Sequence, residues 1–153
     1  MELWDLYTEN RRLTGKTHIR GEEIPDGCYH LVVHVWIRNI KGEYLISQRS
    51  VTRPAFPLMW ECVGGSVVAG EDSLTAAQRE LREETGICVP REKLTFCRKY
   101  LGNHAIYHLY HVEADITEKD IVLQEGETVD ARLVTADEFK KLTEEGKICP
   151  PIV

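Results

Sequence analysis

Residues 64–87 read GGSVVAGEDSLTAAQRELREETGI, and this stretch sets the expectation for the whole fold. Its apolar side chains recur at the spacing of one helical face, at Leu74, Ala77 and Leu81. Asp72 or Ser73 can accept hydrogen bonds from the free amides at the start of a helix, and Gly86 suits the left-handed conformation that often follows one. The stretch therefore predicts a loop, a helix over residues 72–85 and a turn.

Three carboxylates crowd one side of that helix. Glu80, Glu83 and Glu84 stand at positions i, i+3 and i+4, beside the apolar stripe. Like charges at these spacings repel by about 0.2–0.5 kcal/mol per exposed pair, and by more where water is partly excluded. A hard divalent cation, Mg²⁺ or Mn²⁺, would offset that repulsion because both prefer oxygen ligands. The alternative is a solvated acidic face without a ligand, balanced by Arg79 and Arg82.

The residues around the acidic cluster favour the metal-binding interpretation. Arg79 lies next to the cluster and can orient Glu83, and Glu71 can reach back to Arg79 if the preceding loop folds over the helix. Gly64 and Gly65 allow a ligand to approach the backbone where a side chain would collide.

The spacing of these residues resembles the complete Nudix box. Its fixed positions are filled by Gly65, Glu71, Arg79, Glu80, Leu81, Glu83, Glu84, Gly86 and Ile87. The resemblance implies an α/β protein, an α/β/α sandwich with a mixed β-sheet, in which the box forms a loop, a helix and a loop. We expect one domain over residues 1–153, with residues 1–25 as an N-terminal hairpin extension.

Carried over by position, the resemblance implies a role for each box residue. The implied metal ligands are Glu80, Glu83, Glu84 and the backbone carbonyl of Gly64. Arg79 and Glu71 would form an ion pair that holds the helix and the loop in register. The family reaction is hydrolysis of a diphosphate joined to another group, X, by a metal-activated water. The expected function is a divalent-metal-dependent hydrolase that cleaves the diphosphate linkage of a small nucleoside diphosphate-X compound.

The residue that takes the proton from the attacking water varies within the family. It is a box glutamate, here Glu83 or Glu80, or a glutamate on a later loop. The candidates outside the box are Glu125 and Glu127, for which the alternative is an exposed acidic turn.

Parts of the chain outside the box resemble the isopentenyl-diphosphate isomerase branch of the family. They are the N-terminal extension, the strand over residues 29–38 and the segment 49–53. That branch has a cysteine and a histidine around the first glycine of the box, where this chain has Gly64 and Ser66. Cys62 lies two residues too early, a shift of about 6–7 Å along a strand. We therefore expect an isomerase-related hydrolase, with a non-catalytic nucleotide sensor or an isomerase as the alternatives.

Two further pairs of residues are candidate ligands. His18 and His30 correspond to other metal-binding histidines of the isomerase branch and would hold a second metal; the alternative is that they are packing residues. Arg49 and Arg53 would bind a terminal phosphate, which the planar guanidinium suits. The alternative for this pair is surface charge on a loop.

The rest of the chain predicts a sheet. Residues 2–20 indicate a hairpin that turns at Glu9-Asn10. Strands are predicted over residues 29–38, 43–49, 59–63, 94–101, 105–114 and 131–134, and a second helix over residues 135–145. Because strand hairpins separate the helices, a mixed or antiparallel sheet fits better than regular parallel winding.

Composition and charge argue against several classes of protein. The 153 residues carry 25 acids and 19 bases, a net charge of −6, so we expect no general nucleic-acid binding. The partner that the resemblance implies is a small-molecule diphosphate substrate. The longest apolar run, residues 31–37, is too short to cross a bilayer, and the acidic N-terminus is unlike a signal peptide. Five cysteines without a C-x-x-C pair suit free thiols in a reducing compartment. We expect a cytoplasmic protein without membrane association, and the resemblance implies a homodimer.

Overall fold

The computed structural model describes residues 1–150. The strands are β1 (Leu3–Tyr7), β2 (Leu13–Ile19), β3 (His30–Arg38), β4 (Tyr44–Arg49), β5 (Trp60–Glu61), β6 (Val63–Ser66), β7 (Thr95–Leu101), β8 (Ala105–Glu113) and β9 (Thr128–Val134). The helices are α1 (Ser73–Thr85) and α2 (Ala136–Glu144), and short 3₁₀ turns cover Arg91–Lys93 and Glu118–Asp120.

The main sheet is mixed. Its strand order is β5-β4-β3-β8-β7, with β6 also paired to β3 and β9 also paired to β4. β3 and β8 run parallel, with His30 opposite Ala105 at one end and Arg38 opposite Glu113 at the other. The remaining pairs within this sheet are antiparallel. With α1 and α2 on opposite faces, the sheet forms the α/β/α sandwich that was expected, and that prediction is confirmed.

Helix α1 begins and ends at the residues that its capping residues predict. The Asp72 carboxylate accepts a hydrogen bond from the backbone N–H of Thr75 at 2.7 Å, and Gly86 adopts a φ of 76° at the other end. The buried residues of the helix are Ala76, Ala77, Leu81 and Thr85. They pack in one core cluster with the inward residues of β3, which are Leu31, Val33, Val35 and Ile37. Leu74, predicted in the buried stripe, is only partly buried.

The second face of the sheet packs against α2. Thr135 caps this helix by accepting a hydrogen bond from the backbone N–H of Glu138, as its position before the helix predicts. The fully buried residues of this cluster are Ile46, Trp60, Val134 and Ile148. Phe139 of α2 and Trp36 of β3 meet edge to face, with ring centroids 5.4 Å apart. Trp36 alternates with the residues that face α1, so α1 and α2 lie on opposite sides of the sheet.

The N-terminal hairpin docks beside the loop that precedes α1. β1 and β2 pair antiparallel in a sheet of their own. Tyr7 and Tyr29 exchange backbone hydrogen bonds of 2.8 and 3.0 Å, which join the hairpin to the chain just before β3. The Asp5 carboxylate accepts from the backbone N–H of Gly70 at 2.8 Å. These contacts position one side of the hairpin against the box loop.

Two strand predictions differ from the structure by more than one residue at a boundary. The single strand expected over residues 59–63 is two short strands, since β5 pairs with β4 whereas β6 leaves that edge and pairs with β3. The strand expected to start at Ala131 begins at Thr128, because Thr128 and Asp130 also find partners on β4, on either side of a shift in register. The five cysteines are free, and no helix within residues 1–150 is long and apolar enough to span a membrane.

Candidate active site

A cavity of about 680 Å³ opens beside α1 and β6. The predicted residues on its wall are Gly64, Arg49, Arg53, Arg79, Glu80, Glu83, Glu84, Glu127 and His30. Residues from the hairpin, from β3, from α1 and from three loops therefore meet in one place. Among the residues that the structure describes, Glu71, Glu125 and His18 do not line this cavity.

Glu80 lies against the first glycine of the box. A β-carbon at Gly65 would overlap the Glu80 carboxylate, so this position must be glycine for Glu80 to occupy its place. Burial raises the pKa of Glu80 to about 7, an effect that exceeds the opposing influence of the neighbouring Arg79. The Glu80 carboxylate is therefore poorly compensated despite its ion pair.

Glu84 is the most deeply placed of the three box carboxylates. Its Oε2 atom is buried and has no hydrogen-bond partner within the described residues. Burial raises the pKa of Glu84 well above its usual range, and the nearby carboxylates of Glu80 and Glu61 raise it further. A backbone hydrogen bond with Gly64 opposes this shift and places Glu84 beside that glycine. Buried carboxylate oxygens without partners are unusual, so we expect a positively charged group to bind Oε2 of Glu84.

Arg79 links the box loop to the acidic cluster. Its Nε and Nη2 each donate a hydrogen bond of 2.9 Å to the Glu71 carboxylate, which is the fork-to-fork geometry typical of strong arginine pairs. Nη2 also donates to the carbonyl of Ser66 at 3.2 Å, and Nη1 donates to Glu80 at 2.9 Å and to Glu83 at 3.2 Å. The ion pair predicted between Glu71 and Arg79 is present, and the same guanidinium also binds two of the cluster's carboxylates.

The donor chemistry of the cluster suits a hard divalent cation. The carboxylates of Glu80, Glu83 and Glu84 line the same cavity as Gly64, and the unpartnered Oε2 of Glu84 is an oxygen to which a cation could bind. Within residues 1–150, however, no three His, Cys, Asp or Glu side chains stand in the arrangement of a preformed metal centre. The residues fit a cation if Glu80 and Glu83 turn away from Arg79 when it binds.

The two candidate phosphate-binding arginines are already engaged by carboxylates. Arg49 Nη1 donates to both carboxylate oxygens of Glu61, at 3.1 and 3.0 Å, and its Nε donates to the carbonyl of Ala55. Arg53 forms an ion pair with Glu127 across 74 positions of sequence. Burial raises the pKa of Glu61, although Arg49 works against that rise. Both arginines face the cavity, so a phosphate would have to share or replace these partners.

The histidines proposed for a second metal are not brought together as a metal site. The Nε2 of His18 is 3.0 Å from the carbonyl of Glu22, and the ring is buried. His30 instead faces the cavity and stacks on Trp4, with ring centroids 4.0 Å apart and an interplanar angle of 12°. Burial lowers the pKa of His30 to about 4. Such a ring is neutral at pH 7, and its main contact is aromatic.

Sequence reasoning missed several residues on the cavity wall. They are Glu61, His34, Tyr107, Trp4 and Arg20. Glu61 and Tyr107 carry no local signal, because their approach to the box depends on strand pairing between distant segments. His34 shares a strand face with His30, and that alternation was the available signal.

A known protein family matches most of this chain. The family model described as NUDIX domain matches residues 29–149, from the start of β3 to beyond α2. The chain belongs to the Nudix family. It is thus a Nudix hydrolase by family, consistent with the box, the mixed sheet and the acidic cluster.

Individual relatives agree with this assignment. An uncharacterized Nudix hydrolase of Listeria monocytogenes is 40% identical over 151 residues, which cover 98% of this chain and 89% of the relative. A chloroplastic isopentenyl-diphosphate Delta-isomerase of Cannabis sativa is 30% identical over an alignment covering 90% of this chain and 56% of the relative. A crystal structure from Deinococcus radiodurans superposes with a TM-score of 0.80 at 21% identity, covering 97% of this chain and 92% of that one. The similarity to both hydrolases and isomerases confirms the resemblance found in the sequence.

Proposed function

We propose that this Nudix hydrolase uses Mg²⁺ or Mn²⁺ to cleave the diphosphate linkage of a small nucleoside diphosphate-X compound. The observation that carries the proposal is that three box carboxylates line one cavity together with Gly64 and Gly65, and that one buried Glu84 oxygen has no partner among the described residues. Such a cluster costs free energy in the empty protein, and a divalent cation with a diphosphate relieves it.

Each residue then has a chemical task. The oxygens that would hold the cation are those of Glu80, Glu83, Glu84 and the Gly64 carbonyl. When bound, the cation neutralises the diphosphate and lowers the pKa of a water. Arg79 keeps the box carboxylates oriented through its pair with Glu71. Arg49 and Arg53 present guanidinium groups to a terminal phosphate, and a carboxylate of Glu83, Glu80 or Glu127 accepts the proton of the attacking water.

The site gives less support to isomerase chemistry. The two positions that flank Gly65 hold Gly64 and Ser66, which supply neither a thiol nor an imidazole. Cys62 does face the cavity, but it is buried, and burial raises the pKa of its thiol well above the usual range. A thiol that resists ionisation is a poor acid–base group near neutral pH.

The test replaces Glu83 by Gln, which keeps the shape and removes one ligand charge. Phosphate or pyrophosphate release is measured with Mg²⁺ over nucleotide sugars, dinucleotides, triphosphates and isoprenoid diphosphates. Glu83→Gln should lower turnover at least 100-fold, while Glu92→Gln, an exposed glutamate on a 3₁₀ turn, should not change it. Equal turnover in Glu83→Gln and wild type would remove Glu83 from the mechanism. Thermal stabilisation by a nucleotide without any product release would instead support the nucleotide sensor.

A further inference from the structure

Within residues 1–150, four arginines line the cavity, and one of them belongs to the N-terminal hairpin. Arg20 directly follows β2, and it lines the cavity together with Glu2 and Trp4. It lies outside residues 29–149, which the family model matches. The proposed function gives this guanidinium no task, although it lies on the same cavity wall as the acidic cluster.

Arg20 has the most accessible guanidinium of these four arginines. Its side chain is 54% exposed, whereas the side chains of Arg49, Arg53 and Arg79 are 11–22% exposed. Arg20 pairs with the Glu2 carboxylate through Nη1 at 3.3 Å, whereas Arg79 binds three carboxylates. An exposed ion pair contributes little to stability, so a ligand can replace Glu2 as the partner of Arg20 at small cost.

Backbone hydrogen bonds fix the position of Arg20 relative to the box. The N–H of Arg20 donates to the carbonyl of Glu2 at 3.0 Å. One residue further along β1, the carbonyl of Leu3 accepts from the N–H of Ala69, in the box loop, at 2.8 Å. The hairpin therefore holds the backbone of Arg20 beside the box, while the exposed guanidinium at the end of the side chain can change partners.

The pair of Glu2 and Arg20 lies close enough to act electrostatically on both the acidic cluster and Arg53. Burial is the main cause that raises the pKa of Glu80, and the Glu2 carboxylate raises it further. Burial is also the main cause that lowers the pKa of Arg53, and the charges of Arg49 and Arg20 lower it further. Because such influences weaken with distance, a diphosphate that extends from the acidic cluster to Arg53 lies close to Arg20.

We propose that Arg20 leaves Glu2 when the substrate binds and donates hydrogen bonds to a phosphate of its diphosphate, which makes the N-terminal hairpin part of the active site. A planar guanidinium suits this role because it can donate two parallel hydrogen bonds to one phosphate. The released Glu2 carboxylate keeps the hydrogen bond that it accepts from Nε1 of Trp4 at 2.8 Å. This inference rests on the proposed function, because it assumes that a diphosphate occupies the cavity.

The test compares Arg20→Gln, which removes the guanidinium, with Glu2→Gln, which removes its competing carboxylate. Glutamine at position 2 can still accept the hydrogen bond from Trp4. The matched control is Arg12→Gln, because Arg12 is exposed on the same hairpin and does not line the cavity. The probes are the α,β-methylene diphosphates of the four ribonucleosides, and their binding is measured by calorimetry in Mg²⁺.

Arg20→Gln should weaken binding of the tightest probe about tenfold, because it removes charge-assisted hydrogen bonds. Glu2→Gln should instead tighten that binding about threefold, since it frees Arg20 from an exposed ion pair. Arg12→Gln should stay within about twofold of wild type, because water and salt screen distant exposed charges. Arg20→Lys keeps the charge but loses the planar fork, so its affinity should lie between those of wild type and Arg20→Gln. If Arg20→Gln does not fold, Arg20→Lys replaces it in the comparison with Glu2→Gln.

Opposite effects of the two substitutions distinguish a contact with the ligand from a structural ion pair. If the pair only holds the hairpin in place, Glu2→Gln and Arg20→Gln should both weaken binding, and that result overturns the role of Arg20. An affinity that Arg20→Gln leaves unchanged also overturns that role, while the proposed function stands. Equal tightening by Glu2→Gln in wild type and in Arg20→Gln assigns the effect to the charge of Glu2 alone, and this too overturns the release of Arg20. If wild type binds none of the probes, the proposed function and this inference fail together.

Discussion

Replacing Glu71 by Gln tests the ion pair that ties the box loop to α1. The Glu71 side chain is 10% exposed, and each of its oxygens accepts a hydrogen bond of 2.9 Å from Arg79. One oxygen also accepts from the backbone N–H of Val68 at 3.2 Å. Glutamine keeps a single acceptor and directs an NH₂ group at a donor, so one of the paired hydrogen bonds is lost and the ionic attraction disappears.

The expected loss of stability follows from these contacts. Hydrogen bonds to charged groups contribute about 1.5–3 kcal/mol, and removing one partner of a buried ion pair costs about 3–5 kcal/mol. Arg79 is 21% exposed and retains Glu80, Glu83 and the carbonyl of Ser66, so the lower figures apply. We expect Glu71→Gln to reduce the free energy of unfolding by about 2 kcal/mol. For a chain of this length the melting temperature should fall by about 4–8 °C.

Urea unfolding of the metal-free protein measures this change. Glu92→Gln serves as the matched control, because it makes the same chemical change at an exposed position. A double-mutant cycle of Glu71→Gln with Arg79→Gln should give a coupling energy above about 1 kcal/mol, since the two residues are in contact. A loss below about 0.5 kcal/mol in Glu71→Gln, equal to that of the control, would refute the assignment of the pair as a structural clamp.

Two further predictions concern Glu80. The pKa of Glu80 is about 7 in the folded protein, above its ordinary value. Glu80 therefore stabilises the fold fully below about pH 4.5, and this stabilisation is lost as the pH rises through 7. Urea unfolding in EDTA should therefore show that the free energy of unfolding of the wild type falls relative to that of Glu80→Gln between pH 5 and pH 8. A difference between the two proteins that stays constant over this range would contradict the prediction. Gly65→Ala should displace the Glu80 carboxylate and lower Mg²⁺-dependent turnover at least tenfold. Gly146→Ala is the control, because a β-carbon there meets nothing within 4 Å and Gly146 does not line the cavity; equal turnover in both variants would contradict the prediction.

The parts of the fold that could be predicted are those with local signals. The Asp72 cap, the Gly86 turn and the i, i+3, i+7 apolar pattern all act within one helix, so the sequence determines α1 almost to the residue. The boundary between β5 and β6 had no such signal. It depends on β6 leaving the β4 edge to pair with β3, which is a choice between partners distant in sequence.

The residues of the candidate site likewise include some that the sequence predicts and some that it does not. The three box carboxylates were identifiable because their spacing on one helix brings their side chains together, and Gly65 and Glu71 because they fill fixed positions of the Nudix box. Glu61 was not, since it reaches the cavity through a strand whose pairing is set by a partner distant in sequence, and His34 had only its alternation with His30 along β3 as a signal. The N-terminal hairpin was predicted, but its contact with the box loop was not. That contact joins Asp5 to Gly70, which lies 65 residues further along the chain.

Long-range contacts also change how a predicted residue should be interpreted. Glu127 was a candidate base because the family's base can be a glutamate on a loop after the box, and the structure does place it on the cavity wall. There its carboxylate is already held by Arg53. A carboxylate engaged by a guanidinium is a weaker base than a free one, because the positive partner stabilises its charged form. Glu83 is engaged in a similar way, because Nη1 of Arg79 donates to its carboxylate at 3.2 Å, and both glutamate side chains are 41% exposed. Either glutamate must therefore leave its arginine before it can act as a free carboxylate base, and the geometry does not rank the box glutamate ahead of the loop glutamate.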